Sequence, residues 1–381
     1  MIPYDVAVVG LGAMGSMTAL ELARRGTRVI GFDRHHPPHA LGSSHGKSRI
    51  IRQAYFEDPR YVPLVRRAFH KWRELERECG RRLLVQCGGL TIGPPGGTLV
   101  AGARGSARAH RLEYEELSPG SAQSRWPVFR LGPEEVALFE PYAGVLLPEA
   151  AVETALHLAV RAGLDARFGE PMIAWDSADP IRIRTTAGEY SARRMVLALG
   201  PWMSSPLPGA DLPLRVSRQA VFWYDTRARR SELGPDRVPV FLWEWEPGRC
   251  LYGFPDLGDG VKLAIHHEGQ ATTADMAPRE VENGEDNEIR SVIRSRAPAL
   301  LGAGRSGGSA CLYTNTPDER FIVDLHPKDA RVVLVSPCSG HGFKFAPAIG
   351  EAVADLCEGR GPSVDLSPFR LSRFPPSAAA G

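Results

Sequence analysis

Tyr4-Asp5-Val6-Ala7-Val8-Val9, then Gly10-Leu11-Gly12-Ala13-Met14-Gly15, then an apolar-periodic run to Arg25, then Gly26, then Arg28-Val29-Ile30-Gly31-Phe32-Asp33 make up the opening of the chain. The stretch reads as strand, glycine turn, helix and second strand, with an acid closing the second strand 18 residues after the last glycine. Gly10 permits the tight turn, Gly12 lets backbone approach a pyrophosphate, and Gly15 lets the helix lie close on the sheet. The helix start at Ala13 and Met14 favours phosphate charge, and Asp33 is placed for ribose hydroxyls. A lone G-x-G-x-x-G is weak, but the strand before it and the helix and strand after it point to an α/β dinucleotide-binding unit.

The same pattern recurs at Gly302, Gly304 and Gly307 without that context. Ala297-Pro298 precedes it and Gly308-Ser309 follows, so it reads as a loop. One credible dinucleotide site argues against a flavoprotein with a separate nicotinamide-binding fold.

The 381 residues suggest two to three domains at roughly 150 residues each. A hydrophobic fraction of 43% and a charged fraction of 24% are those of a globular chain, and a net charge of +2 carries no bulk footprint for nucleic acid or an anionic membrane. No apolar run approaches the ~18 residues of a membrane span, and the N-terminus lacks a signal-peptide pattern, so the expectation is a soluble, cytoplasmic protein. Cys79, Cys87, Cys250, Cys311, Cys338 and Cys357 have no C-x-x-C spacing, which excludes a disulfide framework or thiolate zinc site as the organising feature. His35, His36, His39 and His45 are interrupted by two prolines and contain no helical i, i+4 pair, so no metal is expected. Only five of the 46 basic residues are lysines (Lys47, Lys71, Lys262, Lys328 and Lys344), which makes each a candidate for a tunable ammonium.

Further along, Tyr61 to Cys79 has amphipathic helical periodicity, and strand signals run from Leu83 to Ile92 before a Gly/Pro break. A helix is expected from about Pro148 to Arg161, a hairpin over Ile181 to Tyr190, and a buried strand at Met195 to Ala198. Short aromatic-rich strands dominate Pro213 to Leu263. The end returns to α/β logic, with strands at Phe321 to Asp324 and Val332 to Ser336, a glycine turn, and a helix from about Pro347 to Cys357.

Four stretches are similar to a known family. They are Gly42-Ser43-Ser44-His45-Gly46-Lys47-Ser48-Arg49-Ile50-Ile51-Arg52-Gln53-Ala54-Tyr55, Cys311-Leu312-Tyr313-Thr314, Asp318-Glu319-Arg320-Phe321-Ile322-Val323-Asp324, and Ser339-Gly340-His341-Gly342-Phe343-Lys344-Phe345. Together, spanning nearly the whole chain in order, they resemble the monomeric sarcosine oxidase and N-methyltryptophan oxidase family. The run from Asp365 to Phe374 is similar to the N-methyltryptophan branch. The resemblance implies an FAD-binding Rossmann-like α/β domain (1–86, 145–214 and 310–373) with an inserted β-rich substrate domain (87–144 and 215–309) and a flexible tail (374–381). It implies oxidation of a secondary or N-methylated amino acid to an imine, oxygen reduced to hydrogen peroxide, and a monomer.

The resemblance also assigns residues. Cys311 would carry the flavin as a thioether, Lys262 would lie over it and promote reaction with oxygen, and His266 would line the substrate site. Arg52 and Lys344 would hold the substrate carboxylate, with Tyr55, Tyr252 and Tyr313 as wall residues. Arg49 and His45 would lie near the opposite flavin face, and Ser43, Met172, Gly340 and Gly342 complete the cofactor set with Gly10, Gly12, Ala13, Met14, Gly15 and Asp33. From the residues alone, strand alternation puts Lys262, Ala264 and His266 on one face. Trp243 and Trp245 share another strand face, which points to a bulky substrate, although such tryptophans are more often core. The chain departs from the family where Lys47 replaces an acid, which would add positive charge at the flavin if it pointed inward. An oxidase of a cyclic imino acid or biosynthetic amine, or a dehydrogenase using another acceptor, shares these motifs; a non-catalytic FAD-binding protein has no use for Cys311, Lys262 and Lys344 together.

Overall fold

The computed structural model describes residues 2–205 and 210–375. The opening stretch folds as its pattern requires: strand Tyr4–Val9, helix Ala13–Arg24 and strand Val29–Asp33. Tyr4–Val9 runs parallel to both Val29–Asp33 and Glu189–Leu197 at the centre of an eight-stranded sheet. Strand Asp329–Ser336 adds in parallel beside Glu189–Leu197, and the hairpin partner Ile322–His326 runs antiparallel to it. Helices Ala13–Arg24, Pro148–Arg161 and Ala346–Cys357 close one face through Leu20, Leu22, Val152, Ala155, Ile349 and Val353, all essentially inaccessible to water. Helix Tyr61–Cys79 docks on this layer through Val62, Val65 and Trp72, and it ends at Gly80 in the left-handed conformation (φ +65°).

A second sheet of nine strands is almost wholly antiparallel. Its longest pair joins Arg215–Tyr224 to Arg305–Asn315, from Arg215 opposite Asn315 to Tyr224 opposite Arg305. One face packs Phe222, Phe241, Trp243, Leu251, Val261 and Leu263 against Phe129 and helix Asn287–Arg296. The alternate residues Leu242, Tyr252 and Lys262 therefore face the other way, towards the first sheet's glycine turn. A small third sheet of Arg49–Ile51, Gly144–Leu146 and Leu84–Gln86 lies in the chain between them.

Three expectations change. Leu83 to Ile92 is two strands, Leu84–Gln86 and Gly89–Gly93, separated at Gly88 (φ +75°). The second glycine pattern is only partly a loop: Gly302 follows the short 3-10 turn Pro298–Leu301, but Gly307 lies inside strand Arg305–Asn315. Of the tail 374–381, residues 376–381 lie outside the described residues, and Phe374 packs against the cluster containing Ile322 and Leu334. Helix Thr98–His110 has no counterpart in the sequence reading; its two glycines mask it, and Gly102 lets it lie against Phe56, whose carbonyl oxygen would be 2.3 Å from an added Cβ.

Candidate active site

A cleft of about 400 Å³ runs from the glycine turn to the inward face of the second sheet. At the turn, a Cβ on Gly10 would sit 2.3 Å from the carbonyl oxygen of Ala198, and one on Gly15 would sit 1.7 Å from that of Gly10. A Cβ on Gly12 would meet nothing closer than Ser44 Oγ at 3.5 Å, so the middle glycine is the one facing open space. Gly12 at the N-cap has no side chain to offer the helix start, and Ser44 Oγ is the acceptor for Ala13 N at 3.1 Å. Asp33 ends its strand with one carboxylate oxygen accepting from Leu11 N and the other from His35 N, each at 2.8 Å. Met172, Gly12, Ala13, Met14, Ser43, Gly340 and Gly342 all line this cleft.

The far end is built on strands Val261–Ile265 and Arg305–Asn315 and on the turn over 43–49. Lys262 is buried, and its Nζ donates to Gly46 O at 2.7 Å, Ser48 O at 3.0 Å and Ser48 Oγ at 3.1 Å. Burial and the neighbouring Arg49 push its pKa down to about 7. Cys311 Sγ lies 3.7 Å from Arg49 Nη2 and 3.9 Å from His45 O. Burial opposes its ionisation, but Arg49, His45 and Lys262 outweigh burial and bring the thiol down to about 6, so Cys311 is a thiolate at neutral pH. Arg49 is fixed by Ser43 O and Ser48 O, both at 2.9 Å. Ser43 Oγ donates to Leu312 O at 2.6 Å and ties the loop to the cysteine's strand. His45 is buried beside the thiolate, outside the cleft lining, and its Nε2 has no partner among the described residues. His266 follows Lys262 on the same face, as alternation requires; burial and His267 hold it neutral, and its Nδ1 is 3.3 Å from Tyr313 OH. Burial pushes Tyr252 up to about 12 and keeps it un-ionised.

Lys344 sits in the turn after strand Asp329–Ser336. Its Nζ donates to His341 O at 2.6 Å and reaches Tyr55 OH at 3.3 Å, while Trp72 Nε1 holds its carbonyl at 2.8 Å. Gly340 has φ +75°, and an added Cβ would be 2.5 Å from the Tyr313 ring; on Gly342 it would be 1.6 Å from Pro337 O. Burial and Arg52 lower Lys344 to about 7. Arg52 lines the cleft, its Nη2 donating to both carboxylate oxygens of Glu57 at 2.8 and 2.7 Å and its Nη1 to Ala54 O at 2.9 Å.

The sequence model of the FAD dependent oxidoreductase family matches residues 5–356. The chain belongs to that family. It is 39% identical over 359 residues, 93% of each chain, to monomeric sarcosine oxidase from Streptomyces avermitilis. It is 37% identical over 376 residues, 97% of this chain and 99% of the other, to N-methyl-L-tryptophan oxidase from Yersinia pestis. Among solved structures it superposes on NikD, described as an unusual amino acid oxidase essential for nikkomycin biosynthesis, with a TM-score of 0.84 and 26% identity over 97% of this chain and 98% of that one.

For an FAD dependent oxidoreductase the cleft has the right chemistry. The helix N-terminus behind a glycine N-cap and the open face of Gly12 suit a pyrophosphate, and Asp33 suits a ribose. His45, expected near the flavin face, is buried beside the thiolate and outside the cleft lining, so its unpartnered Nε2 is not counted among the groups that would meet the flavin.

The structure redraws four of the sequence assignments. Tyr55 does not line the cleft; its OH is 2.5 Å from His341 Nδ1, so it props Lys344 instead of forming a wall. Trp243 is wholly buried in the second sheet's core with its Nε1 on Glu135, and Trp245 also stays outside the cleft, so neither speaks for a bulky substrate. Lys47 points outward to Asp259 at 2.7 Å and adds no charge inside the cleft beside Lys262 and Cys311. Lys71 is buried between Glu21 and Glu351, at 2.7 and 3.2 Å, where it joins three helices. Sequence reasoning missed Glu57 and Glu149. Neither belongs to a motif, and the only available signals were an acid five residues after Arg52 and an acid in the first turn of a helix.

Proposed function

We propose that this chain is an FAD-dependent oxidase of a secondary or N-methylated amino acid. The substrate's C–N bond becomes an imine, and the two electrons and two protons removed reduce oxygen to hydrogen peroxide. The observation that carries the reading is one cleft lined by the glycine turn, the Cys311 thiolate, Lys262 and the Arg52–Lys344 pair. The activities that name the two relatives, monomeric sarcosine oxidase and N-methyl-L-tryptophan oxidase, support it.

When bound, FAD supplies the two-electron acceptor that side chains lack. Gly12, Ala13, Met14 and Asp33 would hold its nucleotide end and Ser43, Arg49, Met172, Gly340 and Gly342 its remaining length, with Cys311 as the point of thioether attachment. Arg52, its Nη2 taken up by Glu57 and one Nη1 proton by Ala54 O, offers its delocalised charge and remaining N–H groups, and Lys344 a point charge, to the substrate carboxylate. The positive charges of Arg49, Arg52, Lys262 and Lys344 disfavour an ammonium, so the amine is bound as its free base. Neutral His266 and un-ionised Tyr252 and Tyr313 surround it without adding charge. Lys262 holds positive charge where negative charge develops as oxygen takes electrons.

The domain division belongs to the same proposal, with the last crossing placed after Asn315 and not at 310, because strand Arg305–Asn315 pairs along its length within the second sheet. A monomer acting in the cytoplasm completes it, and size-exclusion chromatography of the holoprotein tests the first of these two. No helix among the described residues is long and apolar enough to cross a membrane. The function is tested by anaerobic mixing of holoprotein with sarcosine, N-methyltryptophan, proline, pipecolate and simple amines. Bleaching of the oxidised flavin band by an N-methyl amino acid is expected. Bleaching by cyclic imino acids alone would transfer the assignment to that class, and no bleaching at all would contradict it.

A further inference from the structure

The ammonium of Lys262 gives hydrogen bonds to three acceptors that all belong to one turn, Gly46 O, Ser48 O and Ser48 Oγ. An ammonium has three protons and no acceptor, so its donors are fully engaged. Lys262 is thus a charge held in place more than a proton donor, and whatever fixes the turn fixes the charge. The turn has an unusual backbone: Gly46 and Lys47 are consecutive positive-φ residues, at +95° and +65°. A lysine adopts that region only under constraint.

The constraint is Glu149. Its Oε1 accepts from both N–H groups of the strained pair, Gly46 N at 2.7 Å and Lys47 N at 3.0 Å. Glu149 stands in the first turn of helix Pro148–Arg161. The side chain of Lys47 turns out to Asp259 and takes no part in holding Lys262. The turn also touches the rest of the flavin end: an added Cβ at Gly46 would be 3.4 Å from Arg49 Nη1, 3.5 Å from Cys311 Sγ and 3.7 Å from Lys262 Nζ.

We infer, building on the oxygen role proposed above for Lys262, that Glu149 is a positioning residue for the oxygen half-reaction. By accepting Lys47 N it fixes the Gly46–Lys47 peptide, whose carbonyl takes the shortest of the Lys262 hydrogen bonds, and by accepting Gly46 N it holds the peptide before it, so the turn that carries Ser48 is set from its start. With Cys311 taken up as the uncharged thioether of the holoprotein, the charges that face that ammonium are Arg49, which opposes its protonation, and Glu149, which favours it.

The test uses holoprotein reduced anaerobically with dithionite and mixed with oxygenated buffer over a range of pH, comparing wild type, Glu149→Gln, Glu149→Asp and Lys262→Met. Glu149→Gln is expected to slow reoxidation about ten- to a hundred-fold, the scale of a misplaced group that does not itself react. Its reduction by the amine substrate should stay within about two-fold of wild type, because no contact of the reductive step is removed. Loss of the Glu149 charge leaves Arg49 less opposed, so reoxidation should begin to fail at a lower pH in Glu149→Gln, whereas Glu149→Asp, which keeps the charge, should retain the wild-type midpoint. A purely structural role would slow both half-reactions without moving that midpoint. If Glu149→Gln does not fold, Glu149→Asp carries the test, with slowed reoxidation supporting the inference and a wild-type rate overturning it. Wild-type reoxidation with an unmoved pH profile in Glu149→Gln, alongside a slow Lys262→Met, overturns the inference alone. Wild-type reoxidation in Lys262→Met removes the oxygen role beneath it as well.

Discussion

Lys262 on the sheet face and Lys344 in the turn after strand Asp329–Ser336 are both buried and both lowered to about 7, yet their surroundings differ. Lys262 is saturated by three acceptors from a single turn that Glu149 clamps from the far side. Lys344 has one short bond to His341 O and a longer one to Tyr55 OH, and it stands beside the Arg52–Glu57 pair. Burial sets the proton affinity of each; the acceptors decide what each can do. A saturated ammonium acts on charge at a distance, whereas one with a proton to spare can bind an anion.

The variants that would break this contrast run from complete loss to no change. Cys311→Ser should release all the flavin to the supernatant on acid precipitation, while the wild-type pellet stays yellow; a colourless wild-type pellet would contradict the thioether. Lys262→Met should slow flavin reoxidation by about a hundred- to a thousand-fold, the range for losing a preorganised charge, and leave reduction nearly unchanged. Equal slowing of both steps would erase the distinction between the lysines. Lys344→Met should instead raise the KM for the amino acid substrate about ten-fold or more and leave reoxidation of dithionite-reduced protein alone.

The pH dependence sharpens the same point. Lys344 is cationic below about 7 and neutral above, so a carboxylate probe such as benzoate should bind the oxidised holoprotein best at low pH and weaken as pH rises through about 7. Spectral titration of Lys344→Met should lack that step; an identical step in the variant would place the titration elsewhere. The smallest effect belongs to Lys47→Ala, which removes an exposed ion pair with Asp259 and should change stability by no more than about 0.5 kcal/mol, with both half-reactions intact. Slowed reoxidation in that variant would mean that Lys47 acts on the flavin after all.

What the sequence disclosed follows from how locally each feature is encoded. The βαβ opening was legible because its glycines, periodicity and closing acid all fall within residues 4–33, and helices Tyr61–Cys79 and Pro148–Arg161 carry apolar periodicity end to end. Lys262 and His266 were paired correctly because alternation along one strand is a local rule. The same rule could not say which face of Val240–Glu246 was core, since that depends on Phe129 and helix Asn287–Arg296, and Trp243 went into the core. Glu149 was out of reach, because its contact with Gly46 spans 103 residues and one carboxylate among 44 acids carries no mark of a distant partner. Glu57 sits near Arg52 in sequence, but only folding shows its carboxylate held by a buried guanidinium at the cleft.

Oxygen uptake and peroxide formation, followed together while purified holoprotein turns over N-methyltryptophan or sarcosine, test the central claim most directly. Oxygen should be consumed and hydrogen peroxide should appear in equal amount. Reduction of the flavin by the amine with no oxygen consumed, and turnover only when an artificial electron acceptor is added, would contradict it.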